Sequence, residues 1–148
     1  MHGPCTKIIA MVGLVAMLLA LAACPQGDAA FQTNRTIAAI SASNKAMASS
    51  VVQLNQLGKI DNDLANSILN YNRDVANGVK SAEVILQSGR EWKVIAPEVL
   101  KLLREIQLPA NAAALVQQPA VDIGVQALVA VINTIELLLK QSIAEVQK

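Results

Sequence analysis

From Phe31 to Leu57 the apolar residues Ile37, Ile40, Met47, Val51 and Leu54 recur at intervals of three and four. That spacing places them on one face of a helix. Ala38, Ala39, Ala46 and Ala48 favour the same conformation, and Gly58 is placed to end it with a left-handed cap. Asn44 falls on the apolar stripe. Either it pairs with another polar group and sets helix register, as buried Asn does in coiled coils, or it lies at a partly exposed stripe edge.

Asp61 predicts the start of a second helix, because its side chain can accept the free N–H groups of a first turn. Asp63 adds negative charge at the positive helix end. Ile68, Tyr71, Val75, Ala82 and Ile85 carry the stripe onward to Ser88-Gly89, and Gly78 on it would admit a close neighbour. The short connection between these helices predicts an antiparallel hairpin. A third segment spans Arg90 to Leu108, with Pro97 favoured as a fresh helix start that leaves Val94 and Ile95 in a loop. Residues 110–118 read as a loop or loose turn. A last, very apolar helix is expected from near Pro119 to about Val146, with Asp122, Gln126, Asn133, Glu136 and Lys140 forming a narrow solvated stripe. Nothing shows sustained two-residue alternation, so the fold class is all-α, a small bundle of three to four helices.

Composition narrows the chemistry. Of the 148 residues 53% are hydrophobic but only 2% aromatic, so the core must come from Ala, Leu, Ile and Val. The formal charge is +1 with no block of like charges, which argues against an electrostatic grip on nucleic acid or anionic headgroups.

The first 24 residues have their own pattern. Lys7 precedes the apolar run Ile8 to Leu21, and the small residues Ala22 and Ala23 follow. This is the layout of a secretory signal peptide. An uncleaved membrane helix would look similar in hydrophobicity. Leu21-Ala22-Ala23-Cys24 decides between them, because it resembles the lipobox of bacterial lipoproteins in all four positions. The resemblance covers residues 1–24 alone. It implies that residues 1–23 are removed by cleavage between Ala23 and Cys24, and that the Cys24 thiol carries a diacylglyceryl group. Residues 24–30 would be a short tether and 31–148 the helical domain. Pro25 stands where Asp in Gram-negative members marks inner-membrane retention. The resemblance therefore favours the outer membrane, facing the periplasm.

Processing of this kind also removes His2 and Cys5 and consumes Cys24. The remaining chain would lack Ser-His-Asp and Cys-His catalysis, the commonest zinc ligands and any disulfide. No Gly-rich phosphate loop is present. Asp61 and Asp63 lack the further ligands and turn glycine of a calcium loop and read as a helix cap. No cofactor, metal or catalytic residue is expected. The densest polar run, Asn70-Tyr71-Asn72-Arg73-Asp74, reads either as a recognition patch with Arg73 gripping a carboxylate or sugar, or as core Tyr71 with exposed neighbours. Trp92 would anchor a partner, touch the membrane interface or cap one end of the bundle.

Together these features predict a membrane-tethered, non-enzymatic envelope lipoprotein that serves as a binding or structural module. Its partners would be the membrane, through the lipid, and an envelope protein, with a homo-oligomer left open. The alternatives are a membrane-active, lysis- or toxin-like lipoprotein using the last helix, and a carrier holding a small apolar ligand between helices.

Overall fold

Asp28 opens the first helix. In the computed structural model, which describes residues 28–118 and 122–148, its Oδ1 accepts the Phe31 N–H at 2.8 Å. A short carboxylate on extended backbone does this because first-turn N–H groups have no acceptor within the helix. Helix α1 then runs Ala29–Gln56, taking in the last two residues of the expected tether. The expected signal segment 1–23, Cys24 and tether residues 25–27 lie outside the described residues, as does Pro119.

α1 ends as its sequence predicts. Gly58 adopts φ 66°. Its N–H donates to the Asn55 carbonyl and the Lys59 N–H to the Leu54 carbonyl, each at 2.9 Å, which satisfies carbonyls of the last turn. Asp61 then caps α2 (Asn62–Leu86), accepting the Leu64 N–H at 2.7 Å.

The next two segments depart from expectation. Helix α3 spans Trp92–Glu105 with Pro97 inside it, so Pro97 does not start a fresh helix and Val94 and Ile95 are helical. Proline in the sixth position removes one N–H, and the carbonyl deprived of it belongs to Lys93, an exposed residue. In return Ile95, Val99 and Leu103, four apart, all become buried. The stretch read as a loop is α4, Ala110–Gln117. Four of its eight residues are Ala, and Ala112 is fully buried. Helix α5, Ile123–Val146, is capped by Asp122 through the N–H groups of Gly124 and Val125.

The described residues thus form five helices rather than three to four, with no strand, and the fold class is all-α. α1 packs most extensively on α5 and next on α2; α3 packs on α2 and α5, and α4 touches the same two. α5 is the central element. Leu128, Ile132, Ile135 and Leu138 are completely buried, each worth about 1.5–3 kcal/mol of transfer free energy. Gly78 lets the end of α3 come close, since a Cβ there would lie 2.8 Å from Ile106 Cδ1.

Polar groups also enter this core. Asn44 Nδ2 donates to the Asn72 carbonyl at 2.8 Å, and Asn72 Nδ2 donates back to the Asn44 carbonyl at 2.6 Å. Of the two readings of Asn44, the paired one is observed, at 4% exposure. Asn44→Ala and Asn72→Ala are each expected to cost about 1–3 kcal/mol in urea unfolding. The double variant should lose less than the sum of the two, because the bonds form one unit.

Thr33, Ser43 and Ser142 are buried with no hydrogen-bond partner for their hydroxyls among the described residues. An unmet buried hydroxyl costs stability. Ser43→Ala is therefore expected to raise the urea midpoint with an unchanged slope; a lowered midpoint would show that the hydroxyl contributes.

Candidate functional site

Tyr71 sits on the stripe of α2 that its three-four spacing predicts, and at 1% exposure it belongs to the core. Its hydroxyl donates to Glu136 Oε1 of α5 at 2.5 Å. Burial first, then the hydrogen bond and negative charge of Glu136, push the Tyr71 hydroxyl far above its ordinary value of 10.0. Glu136 is half-buried, so it does not belong to a solvated stripe as its sequence position suggested. Of the other stripe residues, Gln126, Asn133 and Lys140 are exposed, and Asp122 is partly buried as the cap of α5.

The remaining members of the polar run go different ways. Arg73 and Asp74 point to solvent, and Asn72 is engaged with Asn44. Arg73 has no hydrogen bond or ion pair among the described residues. Trp92, half-buried, begins α3 and packs against the core. Tyr71, Arg73 and Trp92 therefore occupy a core position, an exposed helix face and a helix start. They do not line a common site.

One cleft opens between α2 and α3, with a volume of about 280 Å³. Asp74, Asn77, Gly78, Ser81, Leu102, Glu105 and Ile106 line it. It holds two carboxylates and no histidine, lysine or arginine. Among the described residues no three His, Cys, Asp or Glu side chains gather as metal ligands. The cleft offers polar and acidic contacts to a small group.

The surface is more distinctive. At one end, where α1 meets the start of α5, Leu57 is 70% and Ile123 is 68% exposed. That corner is braced. Lys59 Nζ pairs with Asp122 Oδ2 at 2.9 Å, and Asn55 Nδ2 donates to Asn62 Oδ1 at 2.9 Å. The Lys59 ammonium, followed by the N–H of Val125, holds the Asp122 carboxyl below its usual range. Gly124 lies against Leu54, since a Cβ there would fall 2.8 Å from Leu54 Cδ2. Elsewhere Phe31 stands half exposed under the Arg35 guanidinium, which lies 5.8 Å above its ring. Val84 and Val94 are also exposed.

Sequence reasoning passed over Glu136, Leu57, Ile123 and Phe31 as site residues. For Glu136 a signal existed: it is a lone carboxylate between Ile135 and Leu137, inside the most apolar stretch after residue 24. Comparison with protein-family models, curated proteins and solved structures finds no match.

Proposed function

We propose that this chain is a lipid-anchored, non-enzymatic envelope lipoprotein whose helical bundle acts as a binding or structural module. The observation that carries the reading is Leu21-Ala22-Ala23-Cys24, directly behind an apolar run. Residues 1–23 are removed between Ala23 and Cys24, and two or three acyl chains on Cys24 hold the bundle at the membrane. One myristoyl-sized chain gives only marginal attachment, and two give a stable anchor. In a Gram-negative cell the absence of Asp at position 25 favours the outer membrane, facing the periplasm.

The bundle serves recognition rather than catalysis. The only histidine is His2, and both cysteines lie at or before position 24. The face offered to an envelope protein is the braced corner of Leu57 and Ile123, because exposed apolar groups on fixed backbone are what interfaces bury. Antiparallel pairing of α1 and α2 is supported by two contacts, Asn55 with Asn62 beside the turn and Asn44 with Asn72 farther along both helices.

α5 carries the observation behind a second reading, a membrane-active lipoprotein. It is long and apolar enough to cross a membrane, with a mean hydropathy of 1.6 in its most apolar stretch. Its use as the central core helix favours the first reading, as does the cost of placing Glu136 at depth in lipid. The direct test is the intact mass of protein purified from native membranes. A chain beginning at Cys24 and carrying acyl mass supports the reading. An intact Met1 with a free thiol at Cys24 rejects it.

A further inference from the structure

We infer that the end of the bundle formed by the start of α1, the end of α2 and the start of α3 rests on the bilayer, with Phe31, Val94 and Trp92 as its contact residues. The inference depends on lipidation of Cys24 as proposed above and adds an orientation to it.

Three observations place this end. Cys24 precedes the capping residue Asp28 by four positions, which a fully extended chain covers in at most about 14 Å. A lipid on Cys24 thus confines the start of α1 to the headgroup region. The pairing of Asn44 with Asn72, continued thirteen residues toward the start of α1 and the end of α2, brings Phe31 about level with Ile85. After the five connecting residues Gln87 to Glu91, α3 begins at Trp92. The turn at Leu57 and the start of α5 lie together at the far end, joined by Lys59 and Asp122. α1 has 28 residues, so the two ends are about 42 Å apart.

The chemistry of the near end suits an interface between water and hydrocarbon. Phe31 is half exposed with a guanidinium over its ring, Val84 and Val94 are exposed, and Trp92 is half-buried with its indole at a helix start. Aromatic rings with cations beside them settle at headgroup depth. The cations here stand among as many carboxylates: Arg90 forms a two-pronged pair with Glu98 at 2.8 and 2.7 Å and Lys148 pairs with Glu145, while Arg35 over the Phe31 ring and exposed Lys93 are offset by Asp28, Glu83 and Glu91. Contact therefore comes from apolar and aromatic groups rather than from charge, and a zwitterionic bilayer suffices.

Trp92 is the only tryptophan in the chain and reports on itself. The full protein, purified from membranes and checked by intact mass, is placed in phosphatidylcholine vesicles with or without nitroxide-labelled lipid. Headgroup-proximal nitroxide is expected to quench Trp92 emission. A far-end probe, Ile123→Trp in a Trp92→Phe background, should be unaffected. Phe31→Ser combined with Val94→Ser should remove most of the quenching while the acyl mass and helical circular dichroism are retained. Three results overturn the orientation: an acylated protein with unquenched Trp92, a quenched probe at position 123, or quenching undiminished in the double-serine variant, which would make the tether alone responsible. A mass without acyl groups overturns the anchor itself, and the orientation with it.

Discussion

Cys24→Ser is expected to abolish acylation and leave a longer chain that keeps Met1. A serine hydroxyl cannot form the thioether, and the lipobox resemblance implies that cleavage follows lipid attachment. The retained run Ile8 to Leu21 would still hold this uncut form at a membrane. A companion chain separates the two effects: residues 1–23 are exchanged for a signal segment removed by the ordinary secretory route, with Cys24→Ser retained. It is expected entirely in the soluble fraction, against complete membrane recovery for the parent. The size of the change follows from the anchor, since a single acyl chain binds with only about 10⁴ M⁻¹ and two make attachment stable. Persistent membrane binding by the companion would transfer the weight to α5 and the membrane-active reading.

Tyr71→Ala is expected to be the most damaging single change within the bundle. It empties a fully packed position and strands Glu136, at a cost of about 3–5 kcal/mol, against a total stability of about 5–15 kcal/mol for a domain. Tyr71→Phe keeps the ring and costs about 1–3 kcal/mol. The hydroxyl also gives stability a pH dependence of known sign. Burial and the neighbouring carboxylate disfavour the phenolate, so the folded-state pKa lies above the ordinary value of 10.0. The stabilisation is then complete below that value and declines as pH rises beyond it. Tyr71 is the only tyrosine in the chain, so phenolate absorbance reports on it alone. No phenolate signal is expected at pH 10 while the helices persist. It should appear together with unfolding, and Tyr71→Phe should flatten the alkaline decline in stability. A phenolate signal near pH 10 with intact helical circular dichroism would contradict the buried bond.

Features fixed by near neighbours were legible in the sequence. Gly58 and Asp61 act on backbone groups within a few residues of themselves, so the end of α1 and the start of α2 fall where residue chemistry puts them. Pro97 misled because a local rule met a tertiary gain: one lost N–H weighs less than the burial of Ile95. The helix at Ala110–Gln117 escaped notice because Pro109 and Pro119 frame it as a loop, while its alanine content favours helix and Asn111 ties it to α2 through Ser67. The bond from Tyr71 to Glu136 spans 65 positions, and no spacing rule reaches that far. Among the candidate residues, the core role of Tyr71 followed from its stripe. The exposed corner of Leu57 and Ile123 did not, because it forms only when α1 and α5 meet.

The mutual bonds of Asn44 and Asn72 have a mechanical consequence. α1 carries Ala38, Ala39, Ala42, Ala46 and Ala48, and a surface so rich in one small side chain looks much the same from one turn to the next. Against such a surface α2 could slide by a turn, about 5.4 Å, and find nearly equivalent apolar contacts. Here a slide of that size strands two amides and two carbonyls at once. The pair works as a detent: the helices click into a single alignment, and shifted copies that alanine alone would tolerate are shut out.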